Sequence, residues 1–145
     1  MDLSLAGKNA LICGSTQGIG LAIAKELAGM GAQCTLFARN ENSLQQALQQ
    51  LPVAHGQTHS FLLADFGNTA AVKEVVQHFA KENVIHILIN NTGGPPAGKI
   101  TDAADQDFLS ALNLHLINNH NITMSLINGM KEAAYGRIIN IVSTS

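Results

Sequence analysis

Two kinds of apolar segment alternate along this chain. Short runs of strand length are separated by longer stretches in which apolar residues recur three and four positions apart, which is the spacing of one helix face. The short runs are 10–13, 34–38, 61–64, 85–89 and 138–142. Most positions in each run are apolar, as is typical of strands in a parallel sheet that helices cover on both sides. The alternation therefore predicts βαβ units.

Three apolar stripes predict the helices between these strands. They are Ile19, Ile23, Leu27 and Met30; Leu44, Leu48 and Leu51; and Val72, Val75, Val76 and Phe79. Gly31 follows the first stripe as a C-terminal stop, and Asn68 or Thr69 can cap the third helix. A longer helical pattern covers Asp105 to Lys131 and is rich in asparagine, a poor helix former, so we expect tertiary packing to hold it. Its asparagines are Asn113, Asn118, Asn119, Asn121 and Asn128.

Length and composition predict one domain, because 145 residues with 46% apolar content can bury one core but hardly two. The net charge of -2 gives no electrostatic footprint for nucleic acid or a membrane surface. Cys13 and Cys34 lie in apolar runs, which favours buried free thiols over a disulfide or a metal site and suggests a reducing, cytoplasmic setting. We find neither the start of a signal peptide nor a run of about 18 apolar residues.

A glycine-rich segment follows the first predicted strand directly. It consists of Gly14, Ser15, Thr16, Gln17, Gly18, Ile19 and Gly20. Glycines permit a sharp turn and let backbone N–H groups approach a pyrophosphate, while the next helix adds a partial positive charge at its N-terminus. The spacing is G-x-x-x-G-x-G, and no Gly-Lys-Ser/Thr follows, so the segment is not a P-loop. A tight strand-to-helix connection without a ligand also uses glycine, so the segment alone leaves that interpretation open.

Three motifs in this order resemble the short-chain dehydrogenase/reductase family. They are residues 14–20, Asn90-Asn91-Thr92-Gly93 after the fourth predicted strand, and the segment from Gly136 to Ser143 at the fifth. The resemblance extends from Leu5 to Ser143, and the stretch 90–98 is most similar to members labelled 3-oxoacyl-carrier-protein reductases. It implies an α/β Rossmann-type doubly wound parallel sheet with strand order 3-2-1-4-5. A dinucleotide would bind at the carboxyl ends of the strands, and residues 1–145 would be a dinucleotide-binding domain incomplete at its C-terminus.

The end of the second predicted strand indicates which dinucleotide is preferred. In NAD-binding folds an acidic residue about 20 positions beyond the glycines binds the ribose 2′-hydroxyl. Here Arg39 stands at that point, and a guanidinium can pair with a 2′-phosphate and stack on adenine, so NADP(H) is favoured over NAD(H). Two observations weigh against this preference: Arg39 would also suit a solvated loop, and Gln17 is not the Lys or Arg that many NADP-preferring relatives carry.

The resemblance also assigns residues around the adenosine. Asp65 would accept a hydrogen bond from the adenine amino group and Phe66 would contribute a backbone contact, although Asp65 could equally cap a turn. The residues lining the adenosine side would be Asn91, Thr92 and Gly93. Asn90 would tie neighbouring strands together. No metal ion is implied.

The chemistry implied by the resemblance is hydride transfer between nicotinamide C4 and a carbonyl or alcohol carbon. In the family a tyrosine acts as acid or base, a lysine lowers its pKa, a serine polarises the carbonyl and an asparagine supports a relay water. Ser143 matches the serine. An ungapped alignment places His115 at the asparagine position, whereas a two-residue shift places Asn113 there; these residues point to different helix faces. We favour His115, for which a local helix hydrogen bond is the simpler alternative.

The Tyr-x-x-x-Lys pair of the family lies a little more than a dozen residues beyond the serine, and the 145 residues do not contain it. Tyr135, the sole tyrosine, has Ile139 four positions later. We therefore expect a fragment of a reductase that binds NADP(H) but is inactive alone, with its fifth strand as an open edge and one flank of the long helix uncovered. A homo-oligomer and a small-molecule substrate are its expected partners. One alternative is a short nucleotide-binding or self-associating module without chemistry. The other is an enzyme that is active when intact and has lost its missing segment by proteolysis.

Overall fold

Five parallel strands form the sheet of this computed structural model, which describes residues 3–94 and 98–142. The strands are β1 (Asn9–Cys13), β2 (Gln33–Ala38), β3 (Ser60–Leu63), β4 (Ile87–Asn90) and β5 (Arg137–Asn140). Their order across the sheet is β3-β2-β1-β4-β5, and each neighbouring pair is parallel. The predicted order 3-2-1-4-5 is confirmed. The strand order reverses between β1 and β4, which is where such sheets form a crevice.

Helices cover both faces of the sheet. They are α1 (Gly18–Gly29), α2 (Glu41–Leu48), α3 (Thr69–Ala80), α4 (Asp105–Leu112) and α5 (Asn118–Glu132). The side chain of Asn68 accepts a hydrogen bond from the backbone N–H of Ala71 at 3.1 Å, so Asn68 and not Thr69 is the N-cap of α3. Gly31 ends α1 with a left-handed φ of +98°, as predicted.

The predicted long helix from Asp105 to Lys131 consists of three parts. Between α4 and α5, residues Asn113–Ile117 form one π-helical turn, and the backbone stays right-handed throughout. A π turn contains an extra residue per turn, so it rotates the residues that follow it about the helix axis. Beyond it, α5 buries every fourth residue, and its apolar members pack into the cluster that holds α3. The buried positions are Asn118, Ile122, Leu126 and Met130.

The predicted face of α1 is only partly correct, because Ile23 and Leu27 pack partly buried against the core but the two ends of the stripe are exposed. Ile19 is 60% and Met30 37% exposed, whereas the fully buried positions are Gly20, Ala24 and Ala28. Small side chains let this helix lie close to the sheet, so the larger apolar residues are displaced to its flanks. The other two stripes are confirmed, because two residues of each are buried and the others are partly buried and pack against the core. The buried residues are Leu44, Leu51, Val72 and Val76.

Burial falls off toward β5 and the outer flank of α4. Strands β1, β2 and β4 are almost entirely buried, but Ile138 and Ile139 of β5 are 39% and 46% exposed. The expected open edge and uncovered helix flank are therefore present in the described part of the chain. The large apolar residues exposed along the long helix are Phe108, Leu109, Leu112, Leu116, Ile117 and Met124.

Both cysteines are free and buried in the sheet, as predicted. Burial raises the pKa of the Cys13 thiol and of the Cys34 thiol to about 12. Neither thiol is therefore a nucleophile near neutral pH. A search of the described helices finds none with the length and apolar character needed to cross a membrane.

Candidate functional site

A cleft of about 460 Å³ opens at the carboxyl ends of the strands, where β1 and β4 meet. Most of the predicted site residues lie in its wall. They are Gly14, Thr16, Gln17, Gly18, Ile19, Arg39, Asp65, Phe66, Asn91, Thr92 and Gly93. The wall also contains three residues that the sequence did not single out, namely Ala38, Gly94 and Leu114. Ala38 and Gly94 adjoin predicted residues, but Leu114 belongs to the π turn and carried no signal in the sequence.

The glycine turn is built so that larger residues are excluded at two places. Gly14 has a φ of +58°, and a Cβ added there would collide with the carbonyl oxygen of Asn91. A Cβ on Gly20 would collide with the carbonyl oxygen of Gly14. The turn is therefore packed tightly between β1, β4 and the start of α1.

The first turn of α1 faces the cleft. Gln17 occupies the N-cap position in an extended conformation, and it makes no side-chain capping hydrogen bond. Uncapped N–H groups at a helix N-terminus carry a partial positive charge, which favours an anion. Gly18 also has a left-handed φ, +54°, but nothing lies within 4 Å of an added Cβ because this residue borders the cleft.

Two predicted residues support the turn from behind. The Ser15 hydroxyl is fully buried and accepts a hydrogen bond from the backbone N–H of Phe37 at 3.0 Å. Gly20 is buried beneath the turn. Neither residue lines the cleft. In this structure both residues shape the backbone of the turn.

Asparagines connect the turn to the strands beside it. The Asn91 side-chain amide donates to the carbonyl oxygen of Gly14 at 3.1 Å, which ties the glycine turn to the end of β4. The Asn90 amide donates to Oδ1 of Asn140 at 2.8 Å. This contact joins β4 to β5, as predicted for Asn90.

Two charged residues, Arg39 and Asp65, lie in the wall of the cleft after β2 and β3. Arg39 is exposed, and among the residues that the structure describes it has no hydrogen-bond or ion-pair partner. Oδ1 of Asp65 accepts a hydrogen bond from the backbone N–H of Gly67 at 2.9 Å, so the turn-capping alternative is realised while the carboxylate also borders the cleft. The Phe66 ring packs on Phe37 with ring centroids 4.8 Å apart.

His115 lies in the π turn and is directed toward the loop after β4. Its Nδ1 is 2.8 Å from the Thr92 hydroxyl oxygen, and its Nε2 is buried with no partner among the described residues. Asn113, the alternative at this position, is exposed. The structure thus places His115 and not Asn113 beside the cleft wall. Ser143 lies outside the described residues.

Tyr135 lies away from the cleft. Its ring is contacted by the Lys8 ammonium at 4.5 Å and by the Arg137 guanidinium at 4.6 Å from the centroid. Both cations lie next to the amino ends of strands, at the edge of the sheet opposite the cleft. Tyr135 therefore has no access to a ligand in the cleft. Within residues 3–94 and 98–142, no three His, Cys, Asp or Glu side chains come together in a way that could hold a metal ion.

Comparison with known proteins gives one consistent result. The profile of the short chain dehydrogenase family matches residues 8–145. A 3-oxoacyl-[acyl-carrier-protein] reductase of Chlamydia pneumoniae is 33% identical over 99% of this chain and 58% of its own length. A 2-dehydro-3-deoxy-D-gluconate 5-dehydrogenase of Bacillus subtilis is 32% identical over 97% of this chain and 54% of its own length. The chain thus spans little more than half of these curated relatives.

Solved structures superimpose over the same extent. L-sorbose reductase from Gluconobacter frateurii, complexed with NADPH and L-sorbose, matches with a TM-score of 0.89 and 32% identity, covering 99% of this chain and 55% of that one. A 3-oxoacyl (acyl-carrier-protein) reductase from Agrobacterium tumefaciens C58 with NADP bound matches with a TM-score of 0.89 and 26% identity, over 99% and 55% of the two chains.

Proposed function

The chain belongs to the short-chain dehydrogenase family, and we propose that it binds NADP(H) in the cleft as the nucleotide-binding domain of an oxidoreductase. The reaction would interconvert a carbonyl group and an alcohol on a small-molecule substrate. The observation that carries this proposal is the uncapped start of α1, which opens into the cleft between the glycine turn and Arg39. A dinucleotide needs two such surfaces side by side, namely hydrogen-bond donors for its pyrophosphate and a separate wall for its adenosine.

The pyrophosphate would lie on the first turn of α1. Thr16, Gln17 and Gly18 border the cleft there, and the helix N-terminus favours negative charge. Ile19 is exposed in the same wall. A bound dinucleotide would cover this apolar side chain, which contributes to binding by removing it from water.

The adenosine would lie between the loops after β2, β3 and β4. Arg39 is an exposed cation there without a described partner, so its guanidinium is available to a ribose 2′-phosphate. Asp65 would accept a hydrogen bond from the adenine amino group through the carboxylate that borders the cleft. The NADPH and NADP complexes of the similar structures support the same preference.

The chemistry would take place near the π turn. When bound, the nicotinamide supplies or accepts a hydride. Ser143 would polarise the substrate carbonyl, and His115 would stand at the relay position. Because Nδ1 of His115 contacts Thr92, its Nε2 is the atom left to hold or pass a proton.

We expect the 145 residues to bind the nucleotide without turnover, because they do not contain the Tyr-x-x-x-Lys pair that the family resemblance implies. Mixed with NADPH and a panel of ketones, they should leave the NADPH absorbance unchanged. Sustained oxidation of NADPH that depends on the ketone would contradict this expectation.

The alternative function is a nucleotide-binding or self-associating module without chemistry. The observation that favours it is the apolar surface of the long helix, where Leu109, Leu112 and Leu116 are each more than half exposed. Contiguous apolar surface of this kind is typical of contacts with another protein. We propose that copies of the chain associate through it, which is compatible with either function.

The cofactor proposal can be tested by calorimetric titration of the wild type with NADPH and with NADH. Removing a charge-assisted hydrogen bond costs about 1.5–3 kcal/mol, so we expect NADPH to bind at least about tenfold more tightly than NADH. Arg39→Ala should abolish most of this difference, and the loss of its stacking on adenine should lower NADH affinity less than NADPH affinity. Lys73→Ala is the matched control, because it removes an exposed positive charge from α3, outside the cleft.

Three results would count against the proposal. Equal affinity of the wild type for both nucleotides would remove the NADP preference. A loss of selectivity in Lys73→Ala as large as in Arg39→Ala would show that general electrostatics, and not a contact with the 2′-phosphate, sets the preference. Absence of binding to either nucleotide would remove the dinucleotide function itself.

A further inference from the structure

Asn118 is a polar side chain at a fully buried position of an otherwise apolar helix face. The positions that α5 buries are Asn118, Ile122, Leu126 and Met130, and Asn118 has no exposed surface. Burying an amide is unfavourable unless it is hydrogen-bonded, whereas a leucine at this position would have no such requirement. The contacts of this amide therefore indicate what it contributes.

The Asn118 amide holds one wall of the cleft. Its Nδ2 donates to the carbonyl oxygen of Phe66 at 2.7 Å. Phe66 borders the cleft next to Asp65, and the two belong to a short turn in which the Asn68 N–H donates to the Asp65 carbonyl oxygen at 2.9 Å. The hydrogen bond from Asn118 is thus the point at which α5 fixes the turn that presents the Asp65 carboxylate.

The opposite wall is held from the same stretch of helix. His115, three residues before Asn118, contacts the Thr92 hydroxyl in the loop after β4. His115 lies within the π turn and Asn118 directly follows it, so this turn sets the direction of both side chains relative to the cleft. One helix segment consequently spans both loops that border the adenosine end.

We infer that Asn118 is a positioning residue for adenine recognition. It fixes the Phe66 carbonyl, and through it holds the Asp65 carboxylate where this group can accept a hydrogen bond from the adenine amino group. His115 fixes the facing loop through Thr92. This inference rests on the proposed NADP(H) function and adds to it a determinant of base selectivity outside the cleft wall. Asn118 does not line the cleft, so its effect on the base must pass through Phe66 and Asp65.

The test compares NADPH with its hypoxanthine analogue, in which an oxo group replaces the adenine amino group. An acceptor fixed at Asp65 should favour NADPH, and we expect the wild type to bind it at least about tenfold more tightly than the analogue. Asn118→Leu leaves the Phe66 carbonyl without its donor and should reduce this ratio to about threefold or less. Asn118→Ser, which is too short to reach the carbonyl but leaves room for a water, should reduce it partially and is the decisive variant if Asn118→Leu does not fold.

Asn9→Leu is the matched control. The Asn9 amide donates to the carbonyl oxygen of Val84 at 2.8 Å, a contact of the same chemistry at the amino end of β1, far from the cleft. This variant should keep the wild-type ratio, because a general loss of stability lowers binding of both nucleotides alike.

The possible results separate this inference from the function on which it rests. An unchanged ratio in a folded Asn118 variant, a ratio near one in the wild type, or an equal fall in Asn9→Leu would each overturn the role of Asn118 while leaving NADP(H) binding intact. Failure of the wild type to bind NADPH at all would overturn the proposed function as well.

Discussion

Replacing Gly20 by alanine should destabilise the protein even though alanine is the better helix former. Gly20 lies inside α1 and does not have a left-handed φ, so backbone propensity alone would stabilise the variant by about 0.5–1 kcal/mol. The added Cβ would, however, collide with the Gly14 carbonyl oxygen and lie 2.8 Å from the Asn91 amide nitrogen. Forcing a methyl group into a packed site costs about 1–3 kcal/mol. Moving the Gly14 carbonyl would also weaken its hydrogen bond from Asn91, worth about 0.5–1.5 kcal/mol.

The net expectation for Gly20→Ala is a loss of about 0.5–4 kcal/mol in the free energy of unfolding, obtained from those opposing contributions. Gly29→Ala is the control in the same helix, because nothing lies within 4 Å of its added Cβ. That variant should be unchanged or more stable by up to about 1 kcal/mol. Urea unfolding followed by far-ultraviolet circular dichroism measures both, provided that the slopes against urea concentration agree. A Gly20→Ala variant as stable as Gly29→Ala would refute the close packing of the turn against α1.

Three further outcomes are expected. Burial, with a nearby lysine, lowers the pKa of His86, whose Nδ1 accepts a hydrogen bond from the Asn9 N–H at 3.0 Å. The His86 imidazole therefore binds a proton more readily in the unfolded chain than in the folded protein. The free energy of unfolding should fall as the pH drops below the pKa of the unfolded histidine, near 6.5. An equally steep fall in His86→Gln would contradict this. The Cys13 and Cys34 thiols should react slowly with Ellman's reagent in the folded protein and rapidly in urea, because burial raises both pKa values to about 12; rapid labelling of the folded protein would argue against their burial. Sedimentation should show association that Leu112→Glu weakens, whereas a wild type that stays monomeric at every concentration would remove the proposed self-association.

The sheet could be predicted from the sequence because its signals are local. Each strand is a short apolar run, and the glycines between β1 and α1 have a spacing that few other strand-to-helix connections require. The resemblance then supplied the strand order, which no single segment encodes. The cleft residues followed for the same reason: most of them stand directly after a strand.

The remaining features depend on contacts between distant residues. The stripe of large residues predicts the buried face of α1 only in part, because close approach of this helix to the sheet favours Gly20, Ala24 and Ala28. The sequence does not predict the π turn, because this turn leaves an unbroken helical pattern. The sequence marks Asn118 as a poor helix former, and its spacing of four from Ile122 is a further signal, because an amide that continues an apolar stripe needs a partner.

The position of Tyr135 between Lys8 and Arg137 determines what optical methods can detect. The chain has no tryptophan and this one tyrosine, and its ring lies at the edge of the sheet opposite the cleft. Tyrosine fluorescence should therefore follow the detachment of β5 during unfolding, and a nucleotide in the cleft should not contact this ring. Occupancy of the cleft is better monitored by the emission of the reduced nicotinamide itself, and the two signals can be recorded independently in one sample.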